Sequence, residues 1–252
     1  MFMRFVQMKV KTGQYMELRR HYDEIVLPEL MKIGGCQYAC LIQADRHEEE
    51  WVSMTLWDTL AHAEAYDRSE VFRRLMGVLQ PYMADSSEWR IRLSSDMTLE
   101  YSQPPEDPVV KSYSISAAAG GKLVPQESNP SMYVRLVSAK IQPDRVEEFR
   151  DLYLHEIIPA LRTVPGCRYA YLTQNINEKH EYISVTIWDS KEMAEHYEQS
   201  GVYEKLLKQV RHTFSGLYQW KMALEKEPGG LAVTSEDLAV TAYNVVTGKT
   251  FQ

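Results

Sequence analysis

The sequence repeats itself, and this repeat limits the possible folds more than any other feature. A shift of 131 residues superposes residues 4–93 on 135–224 without a gap, with 27 identities in 90 pairs, or 30%. The shared runs include Gly-Cys-x-Tyr-Ala at 35–39 and 166–170, and Ser-x-Thr-x-Trp-Asp at 53–58 and 184–189. Chance does not hold one register for so long. The chain therefore contains two copies of one folding unit.

Within each copy the hydrophobic periodicity predicts the order strand, helix, strand, strand, helix, strand. Pro28 and Pro159 fall inside the first helices and should kink or end them, because proline lacks the amide donor. The pairs Asp58-Thr59 and Asp189-Ser190 provide N-caps for the second helices. Trp89 and Trp220 are expected in the final strands. This order is that of a ferredoxin-like α+β unit.

Each copy is followed by one more predicted strand, at 108–117 and 238–247. We divide the chain into a first repeat with its extra strand (1–118), a linker (119–131) and a second repeat with extra strand and tail (132–252). A ferredoxin-like sheet leaves one face bare, and that face needs a partner. The predicted fold is therefore α+β, with two tandem ferredoxin-like repeats forming an intramolecular dimeric α+β barrel. The extra strands would cross to the other copy's edge.

Composition narrows the class of partner. The net charge of −7 argues against nucleic acid, which needs clustered Lys and Arg. No apolar run is long enough to span a membrane, and the N-terminus lacks the pattern of a signal peptide. Three cysteines show no CxxC spacing, and the seven histidines form no zinc pattern. We expect a cytoplasmic protein without a metal site, an intramolecular pseudo-dimer that could also form a homo-oligomer.

A short motif in each repeat resembles a known family. Trp188-Asp189-Ser190-Lys191-Glu192, with Tyr197, Ser200 and Tyr203 after it, resembles the W-x-S-x-E-x-x-x-x-Y-x-x-S-x-x-F pattern of the antibiotic biosynthesis monooxygenase family. In the first copy the matching residues are Trp57-Asp58-Thr59, Tyr66, Ser69 and Phe72. The resemblance covers about 95 residues of each copy and implies the dimeric α+β barrel fold.

The resemblance also bears on cofactors, because the family includes cofactor-free quinol oxygenases and haem-degrading enzymes. In the haem-degrading branch an axial histidine sits four residues after the aromatic residue of S-x-x-F. Met76 and Leu207 occupy that position here. The branch's haem-ruffling tryptophan falls at Tyr66 and Tyr197. We therefore expect no cofactor and no haem degradation.

Matched polar and aromatic residues are the candidate substrate-binding groups. Tyr22 and Tyr66, or Tyr153 and Tyr197, lie on inward-facing helix stripes and should line a cavity between helices and sheet in each copy. His196, on the second helix of the second copy, is a further candidate for substrate binding. Arg4 and Arg135 are matched cations on the first strands. They could bind an anionic substrate or pair with a carboxylate.

Three functions remain open from the sequence. The first is a cofactor-independent monooxygenase acting on a small phenolic or quinol-type substrate, with His155 as base and Tyr197 or Tyr66 as hydrogen-bond donor. The second is a non-catalytic protein that binds a small aromatic or quinone-like molecule, and the third is a structural module. His155 and His196 replace Glu24 and Ala65 of the first copy, so the second copy is the expected active one.

Overall fold

The structure is a computed structural model that describes residues 1–45, 47–84, 90–93, 99–102, 109–119, 132–215 and 238–250. Trp89 and Trp220, which were expected in the final strands, lie outside these ranges, as does most of the predicted linker.

The first repeat begins with the expected alternation of strands and helices. Its elements are β1 (Phe2–Lys9), α1 (Tyr15–His21), a π-helical turn (Tyr22–Val26), α2 (Leu27–Leu30), β2 (Cys36–Ala44), β3 (Glu50–Trp57), α3 (Leu60–Asp67), α4 (Glu70–Leu79) and a 3-10 turn (Gln80–Tyr82). Three further strands follow, β4 (Arg90–Leu93), β5 (Leu99–Ser102) and β6 (Val109–Ala119). β4 and β5 pair with each other as a two-stranded ribbon.

The second repeat has the same order. Its elements are β7 (Tyr133–Lys140), a 3-10 turn (Pro143–Arg145), α5 (Val146–Leu152), a π-helical turn (Tyr153–Ile157), α6 (Ile158–Leu161), β8 (Cys167–Asn175), β9 (Glu181–Trp188), α7 (Lys191–Gln199), α8 (Val202–Val210), a 3-10 turn (Arg211–Thr213) and β10 (Leu238–Thr250). The predicted fold class is confirmed: both repeats are α+β units with antiparallel sheets and helices.

The first helix of each repeat continues past its proline. Pro28 lies in the first turn of α2 and Pro159 in that of α6, and each follows a five-residue π turn. A proline has no N–H and crowds the carbonyl four residues earlier, so a turn widened by one residue accommodates it. Each proline is therefore accommodated by a preceding π turn. Neither proline ends its helix, which was one of the two expected effects.

The two extra strands pair with strands of the second repeat. β6, which follows the first repeat in sequence, pairs antiparallel with β8, from Tyr113 opposite Asn175 to Ala119 opposite Ala170. β10 pairs antiparallel with β7, from Leu238 opposite Ala139 to Asn244 opposite Tyr133. The expected crossing of an extra strand to the other copy's edge is thus confirmed for β6.

The chain forms two compact units. One contains 1–3 and 112–245, and the other contains 4–111 and 246–252. The unit built on the second repeat has a core of buried helix and strand side chains, with Phe149, Tyr182 and Trp188 among the largest. The predicted domain boundaries and the face-to-face packing of the repeats stay predictions.

Glycine is required where the first repeat enters β2. Gly35 has a φ of +88°, and a Cβ atom there would lie 2.2 Å from Nδ1 of His62 and 2.6 Å from Oδ1 of Asp58. Its neighbour Gly34 would place a Cβ in open space, with nothing within 4 Å. Substitution of Gly35 therefore tests backbone conformation and crowding together, whereas substitution of Gly34 tests only the loss of a glycine.

We predict that Gly35→Ala lowers the free energy of unfolding by about 1–3 kcal/mol, because alanine is strained at positive φ. Urea denaturation followed by circular dichroism measures this effect. Gly34→Ala is the control and should change the stability by less than about 0.5 kcal/mol. Equal stability of the two variants would contradict the prediction.

Candidate functional site

A cavity lies between the helices and the sheet of the second repeat. Its volume is about 60 Å³, more than the roughly 10–15 Å³ that one water molecule needs. Strands β7, β8 and β9 form its floor, and α5, the π turn, α6, α7 and α8 cover it. The wall residues are Arg135, Val137, Ala139, Phe149, Tyr153, Ile157, Leu161, Leu172, Tyr182, Ser184, Thr186, Tyr197, Tyr203, Leu206, Leu207, Val210 and Phe214.

Arg135 is the charged residue of this wall. It lies on β7 and is only 3% exposed. Its Nε atom pairs with Oε1 of Glu198 at 2.5 Å, and that carboxylate is 43% exposed. The Nη2 atom is buried and has no hydrogen-bond partner. Burial would lower the pKa of Arg135, but Tyr203 and Glu198 together outweigh it and the net shift is upward. The cavity therefore holds a permanent cation with one free donor.

Aromatic rings enclose this guanidinium. Its central carbon lies 4.3 Å from the ring centre of Tyr203 and 6.0 Å from that of Tyr197. Tyr197 in turn lies 5.0 Å from Trp188 and 5.8 Å from Tyr203, between ring centres. A cation over an aromatic face is attracted by the ring quadrupole, most strongly away from water. Two aromatic positions of the family-like motif, Tyr197 and Tyr203, thus lie against Arg135.

Two further hydroxyl groups belong to the cavity wall. Tyr153, the first residue of the π turn, bonds through its hydroxyl to Oγ of Ser184 at 2.6 Å. Tyr182 on β9 is fully buried, packs edge-on against Phe149 with 5.2 Å between ring centres, and has no partner for its Oη. Burial raises the pKa of Tyr153 to about 12, and it also raises the pKa of Tyr197. Both phenols are therefore neutral donors at physiological pH.

The first repeat has a related arrangement with different chemistry. Arg4 is 2% exposed, pairs with Asp67 at 2.5 Å, and lies 4.5 Å from the ring centre of Phe72 and 5.3 Å from that of Tyr66. Tyr22 bonds to Oγ of Ser53 at 2.8 Å. The guanidinium and its aromatic neighbours are therefore common to both repeats.

Several positions in the cavity wall differ between the repeats. Ala139 and Tyr182 face each other across β7 and β9, and the equivalent residues of the first repeat are the larger Met8 and Trp51. The indole N–H of Trp51 donates to the carbonyl of Glu48 at 2.8 Å, so this group is satisfied. Phe72 provides no hydroxyl where the second repeat has Tyr203. The second repeat thus has two wall hydroxyls that the first lacks.

The structure brings together only part of the predicted site. Arg135, Tyr153 and Tyr197 line one cavity, whereas Arg4, Tyr22 and Tyr66 form the equivalent group of the first repeat. His155 and His196 are exposed on their helices and do not line the cavity. His155 follows the inward-facing Tyr153 by two residues, which places it on the opposite side of the helix.

Several wall residues were not among the sequence candidates. Ser184 belongs to a run shared by the two repeats and Tyr203 to the family-like pattern, and neither run by itself marks a site residue. Glu198 had no sequence signal as the partner of Arg135, because 63 residues separate the two. Tyr182 could have been noticed as the second repeat's replacement for Trp51.

The remaining reactive groups do not form a second centre within the described ranges. Burial raises the pKa of the Cys36, Cys40 and Cys167 thiols to about 12, which leaves them weak nucleophiles. Among these residues no group of three or more His, Cys, Asp and Glu side chains could hold a metal ion. None of the described helices combines the length and apolar character that a membrane span requires.

Comparison with protein-family models shows which family the chain matches. The family model described as antibiotic biosynthesis monooxygenase matches residues 1–77 and 132–209, which is more than half of the chain and once in each repeat. A search against curated proteins finds no significant match.

Solved structures show the same fold over nearly the full length. A protein from Lactobacillus acidophilus NCFM, provisionally described as a monooxygenase, has a TM-score of 0.66 at 9% identity and covers 99% of this chain and 95% of that one. A similarly described protein from Fusobacterium nucleatum has a TM-score of 0.67 at 9% identity, with 99% and 94% covered. An anthrone oxidase-like protein has a TM-score of 0.59 at 13% identity, with 99% and 92% covered. At these identities the likeness shows the fold alone.

The buried phenol of Tyr153 predicts a loss of stability in alkali. An unfolded tyrosine ionises near pH 10, whereas burial raises the pKa of Tyr153 to about 12. The stabilisation is complete below pH 10 and is lost as the pH rises from 10 to 12. By linkage, Tyr153 should account for about 1 kcal/mol of the stability lost between pH 9 and 11.

Tyr153→Phe should therefore show a shallower decline of the urea unfolding free energy over pH 9 to 11. Ile157→Val, a neighbouring wall substitution that removes no titrating group, should keep the slope of the original protein. Identical slopes in all three proteins would contradict the assignment of this pH dependence to Tyr153.

Proposed function

The chain belongs to the antibiotic biosynthesis monooxygenase family, and we propose that its second repeat is a cofactor-independent monooxygenase for a small phenolic or quinol-type substrate. The cavity beside Arg135 is the proposed site. The observation that carries this proposal is a buried guanidinium in the wall of a mostly apolar and aromatic cavity, with an Nη2 atom that has no hydrogen-bond partner. Nη2 of Arg4 in the first repeat is unpartnered too.

A buried guanidinium favours the anionic form of a phenol. In an apolar cavity the attraction between opposite charges is far stronger than in water. Arg135 would therefore lower the pKa of a bound phenolic hydroxyl and stabilise the phenolate. Tyr197, which its raised pKa keeps protonated, would donate a second hydrogen bond to the same oxygen or to the oxyanion that develops from it.

An electron-rich phenolate can react with O2 without a cofactor. The phenol loses its hydroxyl proton, the phenolate passes one electron to O2, and the two radicals join at a ring carbon to form a peroxide. Loss of water from this peroxide removes the ring hydrogen, takes up the released proton and leaves a new carbonyl. One oxygen atom enters the product and the other becomes water, so no external reductant is needed.

A ring can occupy the cavity only after some widening. Its volume of about 60 Å³ is smaller than the roughly 150 Å³ of an engineered cavity that binds benzene. Tyr203 and Leu207 are the partly exposed wall residues on α8. They lie four residues apart, on one face of that helix. We propose that substrate passes between this face and the sheet.

The lining also supports a second candidate, a non-catalytic binding protein for a small aromatic or quinone-like molecule. The described wall residues include no histidine, aspartate or glutamate, so no ordinary general base contacts the cavity. His155, the base expected from the sequence, is exposed. In the oxygenase proposal Arg135 therefore promotes ionisation and water accepts the proton. A cytoplasmic location stays a prediction.

The experiment is oxygen uptake by the full-length protein with a panel of phenols and hydroquinones, with 18O2 labelling of the product. We predict turnover with incorporation of one labelled atom. Arg135→Gln should lower kcat/KM at least about 100-fold, in line with the loss of one donor to a developing oxyanion.

Arg4→Gln is the matched control, because it removes the equivalent cation from the first repeat. It should retain kcat/KM within about threefold, provided that its urea midpoint shows a folded protein. Binding without oxygen uptake would favour the second candidate. An equal loss in both variants would contradict the assignment of the site to the second repeat.

A further inference from the structure

The carboxylates that hold the two buried arginines occupy the same position of the repeat. Asp67 is the last residue of α3 and Glu198 lies near the end of α7, and the shift of 131 residues superposes them. Each carboxylate directly follows a tyrosine, Tyr66 or Tyr197, whose ring packs against the arginine. The two carboxylates therefore differ mainly in length, because glutamate has one methylene group more than aspartate.

The two ion pairs differ in direction rather than in distance. Nε of Arg135 donates a hydrogen bond to Oε1 of Glu198 at 2.5 Å. Nε of Arg4 also lies 2.5 Å from Oδ1 of Asp67, but neither of these atoms has a hydrogen-bond partner. A hydrogen bond requires that the N–H points at its acceptor, and it weakens steeply as the angle closes. Asp67 therefore supplies charge without alignment, whereas Glu198 supplies both.

An aligned bond at Nε fixes the orientation of the whole guanidinium of Arg135. The group is planar and rigid, so the direction of one N–H, together with the plane, sets the directions of all the others. The ring of Tyr203, whose centre lies 4.3 Å from the central carbon, restricts that plane. Nη2 is the buried donor that the protein leaves without a partner. The bond to Glu198 thus holds this donor in one direction, in a residue that lines the cavity.

Glu198 lies where water weakens its charge. Its side chain is 43% exposed, whereas that of Arg135 is buried. Solvent screens a carboxylate at the surface, so its charge contributes little to an ion pair. The guanidinium lies against the rings of Tyr197 and Tyr203, where screening is much weaker. The carboxylate therefore acts mainly through geometry, and the cation keeps its attraction for an anionic ligand.

We propose that Glu198 is a positioning residue, which aligns the guanidinium of Arg135 so that Nη2 meets the oxygen of a bound phenolate. The inference rests on the proposed function for the presence of that oxygen at Arg135. A donor that is fixed before the ligand arrives needs no reorganisation when negative charge develops. Arg4 lacks the aligned bond, and this difference supports the assignment of the site to the second repeat.

Two substitutions separate alignment from charge. Glu198→Gln keeps the side-chain length and a carbonyl oxygen that can accept the bond from Nε, but it removes the charge. Glu198→Asp keeps the charge and reproduces the carboxylate of the first repeat. Glu195→Asp makes the same change at an exposed carboxylate of α7 that pairs with Lys191, and it is the control. Urea midpoints show whether each variant is folded.

The first measurement is the ionisation of 4-nitrophenol bound to the full-length protein, because its phenolate absorbs visible light. At the pH that half-ionises the free phenol, the bound phenol should be about nine-tenths ionised, which corresponds to a shift of about one pKa unit. Glu198→Gln and Glu195→Asp should keep this fraction. Glu198→Asp should return it toward one half, because Nη2 is then no longer aligned with the phenolate.

The second measurement is oxygen uptake with the panel of phenols and hydroquinones. Glu198→Asp should lower kcat about tenfold and leave KM within about threefold, because misplacement of a preorganised donor acts mainly on the step in which charge develops. Glu198→Gln should retain kcat within about threefold. Equal losses in Glu198→Gln and Glu198→Asp would overturn the inference, because charge rather than alignment would then matter. Original behaviour of Glu198→Asp would overturn it as well.

The outcomes for the reaction and for the positioning role are separable. If only Glu198→Asp fails to ionise 4-nitrophenol and no protein consumes oxygen, the positioning role stands and the oxygenase proposal fails. If oxygen uptake depends on Arg135 while all variants ionise the phenol equally, the oxygenase stands and the role of Glu198 fails. An original protein that binds no 4-nitrophenol, or leaves it half ionised, overturns the inference whatever the oxygen measurement gives.

Discussion

The burial of one guanidinium in each repeat is the interaction around which the candidate site is organised. A cation out of water is stable only when charge and hydrogen bonds compensate for its lost hydration. Arg135 has Glu198 on one side and the rings of Tyr197 and Tyr203 on the other, and Arg4 has Asp67, Tyr66 and Phe72. Aromatic residues of the family motif thus pack against the buried guanidinium in each repeat.

Both repeats compensate the charge of a buried arginine, but the side chains around it differ. Ala139 and Tyr182 stand where the first repeat has Met8 and Trp51, so one end of the wall differs between the repeats. The arginine and its aromatic neighbours are common to both repeats, whereas the far end of the wall differs between them.

The repeat and its periodicity predicted the order of elements, because strands and helices leave periods that survive in sequence. They did not predict the π turns, which depend on how a helix accommodates Pro28 and Pro159. The site was less predictable. Arg135 and Tyr197 follow from the matched positions, but Glu198 becomes a partner only through tertiary packing. His155 follows the inward-facing Tyr153 by two residues and is exposed, which helical geometry alone leads one to expect. Its role as a base stays a prediction.

The central claim is that the cavity of the second repeat binds a phenolic oxygen at Arg135. A crystal structure of the full-length protein soaked with 4-bromophenol tests it most directly, because the anomalous signal of bromine locates the ring without bias. The account predicts a bromine site inside the cavity, with the phenolic oxygen within hydrogen-bond distance of Nη2 of Arg135. A bromine site only beside Arg4 or only on the surface would contradict it.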